Sequence, residues 1–126
     1  MTPIQPIIRE ILIENDRVKE LIAERVYDLI LPSGHTIPAI TIQRISETLN
    51  ASTIAGNTLL QIDAYSHTHT QAEAVAEAVR QALTNTTKAG DPDILGIVPQ
   101  NTIDTYTPDN RLFRVTTDYL VSWRKK

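Results

Sequence analysis

The sequence contains no cysteine, which removes disulfide scaffolds, thiol nucleophiles and zinc–thiolate centres together. It also lacks a cationic excess. Twelve Lys and Arg stand against 15 Asp and Glu, a formal net charge of −3, which argues against a protein whose main task is gripping phosphates. No apolar run exceeds four residues, too short for any helix to cross a bilayer. No basic region followed by an apolar stretch opens the chain, so no signal peptide is expected. Catalytic signatures are missing as well: there is no Gly-x-Ser-x-Gly, no His-Glu-x-x-His, no Gly-rich phosphate loop and no Asp-rich calcium loop. Acidic residues are scattered singly, with no pair set apart as an acid/base couple.

What is present fits one soluble globular domain over residues 1–126. Apolar residues make up 41% and charged residues 21%, a composition that can build an ordinary core. Ile and Thr, at 16 each, supply a quarter of the chain. Such β-branched side chains suit pleated, half-buried strands.

The order of elements follows from periodicity and punctuation. Ile4, Ile7, Ile8, Ile11 and Leu12 recur at helical spacing, predicting a first helix that starts near Gln5, with Pro6 in its first turn. Asn15-Asp16 breaks the pattern and can cap a short second helix with Val18, Leu21 and Ile22 on one face. Strands are expected over 25–30, 39–45 and 58–65, the last two by alternation of Ile40 and Ile42, then Leu60, Ile62 and Ala64, with polar residues between. Residues 46–57 are small and polar and read as a long hairpin connection. Thr70 and Glu73 have capping-box spacing ahead of a long helix that ends near Asn85, with Ala72, Val75, Ala76, Val79, Ala82 and Leu83 forming its apolar stripe. Residues 86–92 form a polar loop. The stretch 93–106 is ambiguous except for a strand over 102–106, Thr107-Pro108-Asp109-Asn110 is a turn, and 112–124 is a long final strand. On that strand Phe113, Val115, Tyr119, Val121 and Trp123 share one face, and Arg114, Thr116, Asp118 and Ser122 the other.

Strands joined by turns are expected to pair antiparallel. The fold class is therefore α+β: a four- to five-stranded, mainly antiparallel sheet covered on one face by an N-terminal helix and one long central helix.

Three groups invite a chemical reading. His67 and His69 have an H-x-H spacing that could form part of a metal site, but no third or fourth ligand stands out; the plainer reading is a polar loop ahead of a helix. Ser33-Gly34-His35 lies between two prolines, and adjacent residues rarely reach the geometry of a serine–histidine pair. The basic end Arg124-Lys125-Lys126 reads as a solvated tail. No catalytic, cofactor-binding or metal-ligating residue is assigned.

Four stretches together resemble the phage tail terminator, or tail completion, proteins. The first is 7–12 followed by Asp16-Arg17-Val18-Lys19-Glu20-Leu21-Ile22. The second is Arg25-Val26-Tyr27-Asp28 with Leu31-Pro32 and Ile37-Pro38-Ala39-Ile40. The third is 60–66 followed by the alanine-rich 71–83, and the last is Tyr106 with the aromatic finish of 113–123. Ala39 stands where a tyrosine often follows the second proline of this pattern.

The resemblance implies a structural protein with no enzymatic activity and no cofactor. It implies a ring, typically of six copies, that caps the head-proximal end of the tail tube, stops its growth and presents the surface that docks to the head. Expected partners are other copies of the chain, the tail tube protein and a head completion protein; DNA passes through the lumen without specific binding, and no membrane is involved. The expected location is the virion tail, with the host cytoplasm during assembly. Ring closure needs two different patches on each subunit. Arg114, Thr116 and Asp118 are candidates for one, and Glu73, Glu77 and Arg80 for the other. Asn50, Ser52, Thr53, Gly56, Lys88 and Asp91 are candidates for contact with tube or connector. The alternatives are a head completion or adaptor protein, and a small metal-binding enzyme using His67 and His69.

Overall fold

A computed structural model of the chain describes residues 4–32, 34, 36–50 and 54–125. Its elements run α1 (Ile4–Glu14), α2 (Asp16–Ile22), β1 (Val26–Asp28), β2 (Ala39–Leu49), β3 (Ala55–Ser66), α3 (His69–Leu83), β4 (Asp93–Thr107) and β5 (Leu112–Arg124). The five strands form one sheet in the order β1-β2-β3-β5-β4. All three helices lie on one face, as the α+β reading expects.

The helices follow from their apolar spacing. Ile4, Ile8 and Leu12 are the buried positions of α1, four residues apart and so on one stripe. The Asn15 side chain accepts a hydrogen bond from the Val18 amide at 3.1 Å and starts α2. In α3 the stripe is Ala72, Val75, Ala78, Val79 and Leu83. Its cap is not the expected Thr70. Thr68 holds the N-cap, accepting from the Gln71 amide at 3.2 Å, so the same three-residue spacing operates two residues earlier. The helix also stops before Asn85, at Leu83, where the Thr84 hydroxyl turns back to the Arg80 carbonyl at 2.6 Å. These stripes meet Ile40 and Ile42 of β2, Leu60, Ile62 and Ala64 of β3, Ile94 and Ile97 of β4, and Tyr119, Val121 and Trp123 of β5 in a single apolar cluster.

Three expectations for the strands are corrected. β1 is shorter than 25–30 and pairs parallel with β2, not antiparallel, matching Val26, Tyr27 and Asp28 to Ile40, Thr41 and Ile42. The ten residues between them are no tight turn; they carry the chain back to the end where β1 began. Residues 46–57 are not a long connection either. β2 and β3 stay paired out to Leu49 and Gly56, past a register shift between Arg44 and Ser46. The polar composition reflects an exposed hairpin end, where alternation of apolar residues is unnecessary. Within it, Gly56 is required: a Cβ there would collide with the Thr48 carbonyl oxygen and lie 2.9 Å from the Trp123 ring.

The third correction concerns the ambiguous stretch. β4 runs its whole length, with register shifts between Ile94 and Gly96 and between Pro99 and Asn101. The breakers Gly96 and Pro99 are tolerated because β4 is an edge strand, where a proline deletes no ladder bond that the sheet needs. The final strand matches its expected limits, 112–124.

Candidate functional site

The helix-free face of the sheet carries rows of polar side chains set by strand register. One row crosses β2, β3 and β5 as Thr41, Asp63 and Thr116. Asp63 is only 6% exposed. Its carboxylate accepts from the hydroxyls of Thr41 at 3.5 Å and Tyr65 at 3.4 Å, and closely from Thr116. A carboxylate on an open sheet face is thus enclosed by three hydroxyl donors, as a buried charge requires. The next row is Gln43, Gln61, Asp118 and Asn101. Further along, the Ser122 hydroxyl donates to Asn57 Oδ1 at 2.8 Å. Of the three residues expected on this face, Arg114 and Asp118 are half-buried and present. Thr116 is buried and committed to Asp63. The Arg114 Nε is buried and has no hydrogen-bond partner.

Glu73, Glu77 and Arg80 lie on the opposite side. They border a groove of about 470 Å³ between α3 and the outer half of β4, which Thr102, Asp104 and Thr117 complete. Glu77 and Arg80 form a close ion pair, and Gln81 Nε2 donates to Glu77 at 3.2 Å. The two candidate sets therefore occupy opposite faces of one sheet. Beneath the groove, Tyr119 is buried and its hydroxyl has no partner. Burial pushes that phenol up to about 12, against the opposing pull of the nearby Arg80 charge.

Among the loop candidates, Asn50, Gly56, Lys88 and Asp91 gather at one end of the sheet, because Ala55, Arg124 and Asp93 are neighbours across β3, β5 and β4. Asn50 closes the β2–β3 end by accepting from the Ile54 amide at 3.1 Å. Gly56 is a strand residue, not a loop residue. Lys88 is held in place, with its ammonium 3.1 Å from Glu10 and its backbone bridged to Ile94. Asp91 is exposed just before Pro92. Ser52 and Thr53 lie outside the described residues, as do Ser33 and His35.

The two histidines separate. His67 Nδ1 faces the Arg111 carbonyl at 3.4 Å, while His69 Nε2 meets Asp104 at 3.0 Å. Among the described residues, the one group with metal-ligand character is His69, Glu73 and Asp104, and His67 has no part in it.

Sequence reasoning did not find the edge. The outer side of β4 is bridged by Lys88 at Ile94 and by the Asn85 amide at Ile97, but from Val98 to Thr107 it has no strand partner among the described residues, and Leu95, Val98, Ile103 and Tyr106 are exposed on the strand. The signal was present as isolated apolar residues in 93–106, masked by Gly96 and Pro99.

Residues 7–122 match the family model of the tail completion protein gp17. The chain belongs to the gp17 tail completion family. As a member it is a structural protein of a phage tail, and it works in association with other phage structural proteins. None of the curated proteins matches it by sequence. Among solved structures it is similar to a chain in the virion of a native gene transfer agent particle, with a TM-score of 0.73 and 15% identity over 93% of this chain and 91% of that one. At that identity the likeness is one of fold.

Proposed function

We propose that this tail completion protein assembles as a closed ring on the head-proximal end of the tail tube, where it stops growth and provides the surface that docks to the head. The observation that carries this reading is the inequality of the two sheet edges. From Val98 to Thr107 the outer side of β4 has no strand partner among the described residues and carries apolar side chains, whereas β1 at the far edge has three residues. Contacts between unlike patches repeat head to tail and close into a ring when the rotation permits. Long exposed edges are otherwise an aggregation liability, which a neighbouring subunit removes. β4 and the groove beside Glu73, Glu77 and Arg80 supply one side of that contact. The loops around Asn50 and Lys88, gathered at one end of the sheet, face the tube or the connector. Arg114 and Asp118 of the polar face belong to the other side of that contact, and DNA moves through the lumen without being gripped, since a subunit of net charge −3 holds few phosphates. The protein works through its surfaces and turns over no substrate.

Electron microscopy of the protein mixed with its tail tube protein tests this. The expected image is a ring on one end of each tube, and tubes of unlimited length with bare ends overturn it.

A further inference from the structure

We propose that His69, Glu73 and Asp104 form a site for a divalent transition metal, best suited to zinc, that clamps the first turn of α3 to the edge strand β4. The donors come from two elements. His69 and Glu73 are four residues apart on α3 and so project from one helix face; Asp104 reaches them from β4. The three donor atoms lie within 4.8 Å of one another, and His69 Nε2 and Asp104 Oδ2 are already 3.0 Å apart. Zinc holds nitrogen and oxygen ligands at about 2.0–2.2 Å, which sets donor atoms roughly 3–3.6 Å apart. Rotation of the exposed Glu73 carboxylate closes the remaining gap.

The imidazole is the least free of the three. Its ring stands against Phe113, with centroids 5.9 Å apart, and its Nε2 points at Asp104. One imidazole nitrogen with two carboxylates favours zinc over calcium or magnesium, which prefer oxygen-only shells. The half-exposed position leaves the remaining coordination places to water. The nearest cation on α3, Arg80, is occupied by Glu77. This inference stands apart from ring assembly, since a free subunit suffices to test it.

The test is calorimetric titration of the full chain with zinc chloride, repeated with calcium chloride. One saturable zinc site per chain is expected, together with a rise in Tm. His69→Ala and Asp104→Asn should each weaken binding at least about tenfold, while His67→Ala and Glu77→Gln leave it within about twofold. Cobalt in place of zinc should give visible absorption bands that disappear in His69→Ala. These exposed positions tolerate substitution, and circular dichroism verifies the fold of each variant. Absence of saturable zinc binding, binding unaffected by Asp104→Asn, or equal affinity for calcium would each overturn the proposal.

Discussion

Tyr119 is the residue whose surroundings make the sharpest quantitative demand. Its phenol is buried without a partner and pushed up to about 12, whereas an unfolded tyrosine ionises near ~10. The folded protein therefore keeps this proton more tightly than the unfolded chain. Stability is intact below about pH 10 and falls as pH climbs toward the folded value, by ~2–3 kcal/mol across that window. Urea titrations between about pH 9 and 12 should show this loss, and Tyr119→Phe should remove it. At neutral pH the same substitution is expected to be neutral or stabilising by up to ~1 kcal/mol, because it deletes an unsatisfied hydroxyl. Two other positions should lose stability. Gly56→Ala forces a methyl into the Thr48 carbonyl and the Trp123 ring, for a loss of ~1–3 kcal/mol read as a drop in Tm. Asp63→Ala leaves Thr41 and Thr116 buried without their acceptor and should cost a similar ~1–3 kcal/mol by denaturant titration.

At the scale of elements, the edge strand is where folding and assembly can be separated. Val98 and Ile103 are exposed on β4, so Val98→Lys or Ile103→Lys should change Tm little, within ~0.5 kcal/mol in stability. Each places a charge on the edge that the proposed ring would pair, and the expected outcome is loss of tube capping in micrographs while the free subunit stays folded.

The same strand shows what was legible beforehand. α3 and β5 could be read from residues 72–83 and 113–123 because each buries one clean face, so period 3.6 and period 2 stand out in the sequence. β4 buries little beyond Ile94 and Ile97, and an edge accepts Gly96 and Pro99, so nothing in 93–101 enforces alternation. The parallel pairing of β1 was hidden because three residues carry no register signal of their own. The site was legible only in part. Arg114 and Asp118 fell on the expected polar face by alternation alone. The Thr41–Asp63–Thr116 row and the meeting of His69 with Asp104 depend on inter-strand register and on how α3 lies over the sheet, which no local pattern encodes.

For the whole molecule, the polar face and the helical face do different work. The helices bury the core against one side and leave the other side free, where a subunit presents the row Gln43, Gln61, Asp118 and Asn101 beside a partly exposed apolar row of Leu59, Leu120 and Val98. Strand order carries a further consequence. β5 is the last strand in the chain, yet it lies between β3 and β4 and is hydrogen-bonded to both. Until 112–124 has left the ribosome, β3 lacks its second neighbour and the outer strand has no place in the sheet. A nascent chain that stops short of 112–124 thus lacks the strand on which β4 is laid, and carries no ordered rim of the sheet on that side.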